Sequence, residues 1–511
     1  MSTHADLLLR GGTLVDVVDG RLRDADVAIV DGRIGAILPR GAQVSAPRTA
    51  DCTGLLIAPG FVDIHTHSDL SRLVYPGQES RVTQGITTEV VGNCGMSPAP
   101  VVGSRDRTRE VIGPVDIVES APWSWTGVEG WLAALEHTPA ATNGSALVGH
   151  GTVRAAVAGS TAAPVDRHEV VRAIRDALGA GCAGVSLGLM YAPGQSADPE
   201  ELRAVAEAVR AHDALLSVHL RSYAHEGLLA AVEEAVALAE AAGVRLQLSH
   251  LRMIGSDAGT YDRVLARVER ARRSVDVAAD AYPYLSGHTT LVQLLPPDVR
   301  AAGERACAAL PLNTLVRGLA ASGFAPDAIT VMKARATPDA VGCAPDPADP
   351  WAWLARLLVD NDGAVDVAVI GSTAENLDTA LRTPWISIAS DGAALGPTHT
   401  ESAAHPRSWG TFPRAYRRMR ELGLTPAEAL RRCTDDPARR IGARAVVTEG
   451  ARADLVVFDD VALTDTATEA APMAPAAGIA HVFVGGTAVV DDARTTAARP
   501  GRFQRRAHGG H

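Results

Sequence analysis

Imidazole, thiol and carboxylate side chains recur in this chain where apolar runs end, and these are the donors that zinc prefers. They stand at His65 and His67 in GFVDIHTHSD, Cys94 in VVGNCGMSP, His219 in LLSVHLRS, His250 in LQLSHLR and Asp391 in ISIASDG. On a strand, side chains two apart share a face, so the His-x-His pair can turn both imidazoles toward one ion. Cys94 sits between Asn93 and Gly95, in a turn whose glycines permit tight backbone geometry. A lone cysteine is commonly a small buried hydrophobe, or else a nucleophile; after an apolar run and among so many histidines, its thiolate reads as a ligand. His219 and His250 each close an apolar run, one strand–helix unit apart. Asp391 can ligate a metal, take a proton from water and return it to a leaving nitrogen, although Asp-Gly is also a common turn dipeptide. Together these residues predict a hydrolytic metal site.

Donors so distant in sequence need a scaffold that gathers strand ends. Apolar, β-type runs at 58–67, 85–92, 145–150, 182–188, 214–219, 244–250, 274–282 and 385–391 alternate with helical segments such as HEGLLAAVEEAVALAEAAG. This rhythm predicts an α/β fold, a (β/α)8 TIM-type barrel over residues 58–439. Every donor then falls at the C-terminal end of a strand, where such barrels keep their active sites. Two stretches, about 97–144 and 285–384, break the rhythm. The second is predicted to form an insertion over the barrel mouth. Residues 1–57 and 440–511 read as short strands with Gly-Gly and Asp-Gly turns, and predict a small β-sandwich formed from both termini; two separate appendages are the alternative.

Composition bounds the function classes. A chain of 511 residues is too long for one small core, and 47% hydrophobic with 21% charged residues is ordinary for a globular protein. The net charge of −11, with no long basic run, argues against nucleic acid as a partner. No uncharged apolar run suits a bilayer, and MSTHADLLLRGG lacks a basic segment leading into an apolar one. Six cysteines scattered without pairing motifs suit a reduced, cytoplasmic protein with no membrane partner. The sequence leaves the oligomeric state open. Lys333 is the only lysine in the chain.

Motifs spread over nearly the whole chain carry a resemblance. APGFVDIHTHSD, VVGNCGMSPAP, VGHGTVR, GVSLGLMYAPG, HLR, SHLR, DAYPYLSG, TPWISIASDG, HPRSWGTFPR and GARADLVVFD make the chain similar to the amidohydrolase superfamily and, within it, the N-acyl-D-amino-acid deacylase (D-aminoacylase) family. The cysteine in NCG is the marker, because most relatives with two metals bridge them with a carboxylated lysine. The fourth run, GVSLGLMY, has no lysine, and Lys333 lies in the predicted insertion. The resemblance implies one zinc held tightly by Cys94, His219 and His250, and a second, weaker site involving His65, His67 and Asp391. It also implies that Asp391 is the general acid and base, and that the reaction is hydrolysis of the amide in an N-acyl-D-amino acid.

The departures from the family fall in the substrate pocket. The family binds the substrate carboxylate with a lysine two positions after the sixth-strand histidine, with tyrosines, and with a small hydroxyl residue after YPY. Here Arg252 stands for the lysine, and Tyr191 and Tyr282 supply the tyrosines. His288, in Ser286-Gly287-His288, replaces the small hydroxyl residue, with Thr289 and Thr290 following. The loop GAALGPTHTESAA after Asp391 is reworked as well. A small carboxylate-bearing amide is the expected substrate, and another amide, such as a dipeptide containing a D-residue, a cyclic amide or a natural-product intermediate, is the alternative. A ligand-binding barrel without activity is a third class, against which the full donor set and Asp391 argue. Among the remaining histidines, His150 and His405 are candidates for outer contacts, His225 reads as a surface residue, and His481 as structural.

Overall fold

Each of the eight apolar runs becomes a barrel strand: Phe61–Asp63, Ile86–Val91, Asn143–Gly149, Gly184–Gly188, Leu215–His219, Arg245–Leu248, Val277–Ala281 and Ile386–Ile388. The computed structural model describes residues 4–113, 118, 120–160, 165–300 and 303–506. Residues 1–3 and 507–511 of the predicted sandwich, and 301–302 of the predicted insertion, lie outside these. The strands stand side by side in chain order, and neighbours pair in parallel. Both faces of such a strand are covered, so its sequence runs apolar without alternating. Helices coat the outside. His225–Ala242, for example, turns Leu228, Val232, Val236 and Ala239 onto the barrel core. Asp198 caps the helix Pro199–Ala211, with proline at its first position. Among the described residues no helix is long and apolar enough to cross a membrane.

The ring closes between the first and eighth strands. The Asp391 N–H donates to the His65 carbonyl at 2.9 Å, and the His67 N–H to the Gly392 carbonyl at 2.7 Å. Beneath them a fully buried latch holds the seam. The Asp63 carboxylate accepts the Ser390 N–H at 2.9 Å and the Arg81 guanidinium at 3.2 Å, while Arg81 also donates to the Ser390 hydroxyl at 2.8 Å. Burial, opposed by Arg81, pushes the Asp63 carboxyl up to about 6.

Both termini join one nine-stranded sheet, in which Leu56–Pro59 pairs with Leu455–Phe458 from the far end of the chain. Alternate residues face opposite ways. Leu56, Ala58, Val456 and Phe458 pack on the barrel, whereas Ile57, Leu455 and Val457 meet Leu7, Val27 and Phe483 in a separate core. The sheet curls around that second core as the expected sandwich. The last described residues return to the barrel: Gly501 bridges Ala140, and Phe503 bridges Gly144 beside the third strand.

The stretch after the seventh strand builds a three-stranded antiparallel sheet, ordered Ser286–Thr290, Val365–Ile370, Ile329–Ala334. Ile329, Val331, Val365, Val367 and Val369 face a core of its own with Leu315, Leu319, Leu354 and Leu358. The helix Ala374–Arg382, which ends the stretch, contributes Ala380 and Leu381 to the barrel's cores.

The latch predicts that Asp63→Asn, which leaves the Arg81 charge buried without its nearest carboxylate, destabilises the protein by about 3 kcal/mol. Denaturant unfolding measures this, and an unchanged midpoint would show that the closure does not depend on the pair.

Candidate active site

All six predicted donors converge at the C-terminal mouth of the barrel, and all are buried. The Cys94 sulfur is the hub. It lies 3.3 Å from His65 Nε2, 3.4 Å from His219 Nδ1, 3.6 Å from His250 Nε2 and 3.8 Å from His67 Nε2. One donor atom each from His65, Cys94, His250 and Asp391 fall within 4.8 Å of one another. Asp391 Oδ1 sits 2.9 Å from His67 Nε2 and 3.4 Å from His65 Nε2. A thiol carries one proton and can donate one hydrogen bond, so a ring of imidazole nitrogens around it exceeds what hydrogen bonding explains. Around a tetrahedral zinc, with sulfur about 2.3 Å and nitrogen about 2.0 Å from the ion, those two atoms stand roughly 3.5 Å apart. The separations and the donor chemistry both fit such an ion.

The backbone at these donors is unusual. Cys94, His250 and Asp391 have φ of +57°, +33° and +50°, in the left-handed region that residues with a Cβ seldom adopt. Each is held there by specific bonds. Ser186, on the fourth strand, donates to the Gly92 carbonyl at 2.5 Å and accepts the Gly95 N–H at 2.9 Å, clamping the turn around Cys94. A Cβ on Gly95 would lie 2.4 Å from the Gly188 nitrogen, so only glycine fits beside the fourth strand. The His250 N–H is taken by Asp280 Oδ1 at 2.7 Å.

Electrostatics sort the protonation states. Burial pushes His67 down to about 4, against the pull of Asp391, and His219 down to about 3; it also holds His250 well below its ordinary value. These imidazoles are neutral, the form that ligates metal. Burial pushes the Cys94 thiol up, and a cation among the donors acts in the opposite direction. Burial likewise opposes ionisation of Asp391, yet the Arg407 guanidinium, 2.8 Å from Oδ2, holds it well below the usual carboxylate range with help from the histidines.

Two charged residues of the site went unmarked in the sequence. Asp280, on the seventh strand, holds the His250 backbone, lies 3.4 Å from His65 Nδ1 and accepts Gln247 at 2.8 Å. Its signal was one acid inside an otherwise apolar strand. Arg407 lies within the HPRSWG motif, in which His405 is the residue with evident ligand chemistry. Tyr223 was also missed. Its ring centre lies 5.1 Å from that of His219, edge to face, and 5.0 Å from that of His250, and its hydroxyl donates to the Ser249 carbonyl.

The expected substrate contacts surround the donors. Tyr191 lies 4.7 Å from the His219 ring, with its hydroxyl 3.3 Å from Thr289. The guanidinium groups of Arg252 and Arg407 sit 5.2 Å and 5.3 Å from the Tyr282 ring. Arg252 lies against Gly287, whose absent Cβ would come within 2.1 Å of Nη2. Its Nη1 is buried and has no hydrogen-bond partner among the described residues. His288 Nε2 is 3.7 Å from Asp366 Oδ2. These groups enclose a cavity of about 80 Å³ at the donors. Of the other histidines, His405 bonds Ser286 at 2.9 Å at the mouth's edge, and His150 is 2.7 Å from Glu201 in the helix layer. His225 starts a helix with its side chain 43% exposed, and His481 bonds Asp491 at 2.9 Å in the sandwich. Lys333 lies in the insertion's sheet rather than on the fourth barrel strand.

Known proteins resemble this chain in sequence and fold. The chain is 34% identical to the N-acyl-D-aspartate deacylase of Alcaligenes xylosoxydans xylosoxydans, over 98% of this chain and 95% of that one. It is 34% identical to the D-aminoacylase of the same organism, over 97% of each. The crystal structure of N-acyl-D-glutamate deacylase from Bordetella bronchiseptica, complexed with zinc and a phosphonate inhibitor that mimics the tetrahedral intermediate, superposes with a TM-score of 0.82 at 31% identity, covering 98% of this chain and all of that one. The amidohydrolase family model matches residues 48–490. The chain therefore belongs to the amidohydrolase family.

Proposed function

We propose that this protein is a zinc-dependent amide hydrolase that removes the acyl group from N-acyl-D-amino acids. The observation that carries this reading is one buried sulfur ringed by imidazoles with a carboxylate beside them, in a chain similar over nearly its full length to deacylases of N-acyl-D-amino acids. Cys94, His219 and His250 would hold one zinc tightly; His65, His67 and Asp391 would form a second, weaker site. When bound, the ion supplies Lewis acidity, lowering the pKa of water and stabilising negative charge on the scissile carbonyl oxygen.

The protein's own groups do the rest. Asp391 is kept anionic by Arg407 and aimed by His67, so it can accept the proton of the attacking water and pass it to the departing nitrogen. The elements of water are added across the amide C–N bond, giving a carboxylate and a free D-amino acid. Arg252, with a buried N–H unpaired, offers a fork for the substrate carboxylate, with Tyr282 beneath it and His288 and Tyr191 beside it. Asp280 orients His65 and the loop of His250 as an outer partner of the donors. Six free cysteines, five of them buried, support a reducing, cytoplasmic setting.

The decisive experiment measures zinc content alongside hydrolysis of paired N-acetyl-D- and N-acetyl-L-amino acids. Zinc with D-selective release of acetate is expected; zinc with no cleavage of any N-acyl amino acid would sink the substrate assignment. Asp391→Asn is expected to lower kcat/KM by about 10³-fold. Arg252→Met should raise KM by roughly 10- to 100-fold with a smaller change in kcat. Asp280→Asn should weaken zinc affinity about 10- to 100-fold in a chelator competition, and an unchanged affinity would remove Asp280 from the site.

A further inference from the structure

The helix Arg407–Glu421 starts at the arginine that holds Asp391, so whatever fixes its first turn also fixes that guanidinium. A helix begins with backbone N–H groups that have no partner inside it. Pro406, in the capping position, has no side-chain group to accept one. His405, one residue earlier, does so instead. Its Nδ1 accepts the Arg407 N–H at 3.1 Å, and its carbonyl accepts the Ser408 N–H at 3.0 Å. Its Nε2 lies 2.9 Å from the Ser286 hydroxyl, at the start of the insertion's first strand.

These contacts decide the state of the ring. A ring nitrogen that accepts an N–H carries no proton, so the proton of His405 sits on Nε2 and is donated to Ser286. Burial, with Arg407 and His288 beside it, holds His405 well below its ordinary value, which keeps the ring neutral. Ser286 passes its own proton to Glu469 Oε1, 3.5 Å away between the strands Leu455–Phe458 and Ile479–Val484.

The turn that carries Arg407 rests on alternate residues of DAYPYLSG. Tyr282 has its ring centre 5.3 Å from the Arg407 guanidinium. Tyr284 donates to the Pro406 carbonyl at 3.3 Å, and its ring meets that of His405 edge to face. Ser286 takes the His405 ring itself. All five side chains, His405 and Arg407 included, are buried. An Arg407 N–H that lost its acceptor here would be a buried donor left unpaired, and the backbone would shift to relieve it.

We propose that His405 is a positioning residue for the acid–base step: by accepting the Arg407 N–H it sets where the guanidinium meets Asp391. It acts through Arg407 and not on the reacting atoms. This rests on the deacylase reading above, in which Asp391 is the general acid and base.

The test separates the two ring nitrogens. In His405→Asn the amide oxygen takes the place of Nδ1 and still accepts the Arg407 N–H, while the bond to Ser286 is lost. In His405→Gln the amide reaches the place of Nε2, and the Arg407 N–H has no acceptor. With zinc-loaded protein and an N-acetyl-D-amino acid, His405→Gln is expected to lower kcat about 10- to 100-fold, with KM changed less than about threefold. His405→Asn should keep kcat within about fivefold of wild type, and both variants should hold zinc as wild type does. In an Arg407→Lys background, His405→Gln should cost less than about twofold more, because both changes act through one residue. If His405→Gln fails to fold, Ser286→Ala, which frees the ring, should lower kcat about threefold at constant KM. Equal losses in the Asn and Gln variants, full kcat in both or in Ser286→Ala, or a change confined to KM would overturn the proposal and leave the deacylase reading intact. So would loss of zinc from a folded variant, or full additivity with Arg407→Lys. A wild type inert toward every N-acyl-D-amino acid would bring down the deacylase reading, and this inference with it.

Discussion

The seam between the first and last barrel strands is the constraint on which the site depends. A parallel sheet becomes a barrel only when its two edges find each other, and here the edges belong to residues more than 300 positions apart. Asp63 and Arg81 join them, both fully buried, and the Ser390 N–H completes the contact. Two positions beyond Asp63 comes His65, and one beyond Ser390 comes Asp391. The latch that closes the fold therefore also sets how closely the histidine pair approaches the carboxylate. Burying such a pair yields little net stability, but it defines one register. A slip of one residue would turn His65 and His67 away from the mouth.

That register lets the loops above it hold strained shapes. Left-handed backbone at a residue with a Cβ costs of order 1 kcal/mol or more and persists only where its surroundings over-determine it. Cys94 is surrounded by Ser186 and by close backbone packing on Gly95, His250 by Asp280, and Asp391 by the seam itself. Three strained positions coincide with three donors. The strain turns each side chain inward over the centre of the barrel, and the rigid strands beneath bear its cost.

Much of this was legible in the sequence because it depends on local pattern. Strands buried on both faces leave uninterrupted apolar runs, and a ligand at a strand's end is an abrupt His, Cys or Asp after such a run. His65, His67, Cys94, His219, His250 and Asp391 could all be read that way, and the structure brings them together. Asp280 and Arg407 could not. Their meaning lies in what they touch across the ring, His250 and Asp391, and no spacing along the chain encodes those partners. Tyr223 was hidden for the same reason. The sandwich was foreseeable from two strand-rich ends, whereas the pairing of Leu56–Pro59 with Leu455–Phe458 is a contact across almost the whole chain. The insertion's sheet was the least visible part. Its strand Ser286–Thr290 has the composition SGHTT, which carries no apolar alternation because its neighbours include an arginine and an aspartate.

The insertion also explains how the mouth can depart from the family while the donors do not. Gly287 and His288 are adjacent in its first strand: one makes room for the Arg252 guanidinium, and the other projects beside it toward Asp366. The larger arginine and the vacated Cβ are two halves of one packing solution, since any side chain at position 287 would occupy the guanidinium's place. The same strand continues to Thr290, opposite Asp366. A single small sheet thus carries both the room for the Arg252 guanidinium and the His288–Asp366 contact beside it. Its far face is anchored in a separate apolar core that shares no residue with the barrel's. Substitutions on this roof beyond Ser286 can change what fits beneath it without disturbing the seam, the strained loops or the ring of donors below. In this architecture the barrel sets the chemistry and the roof shapes what reaches it.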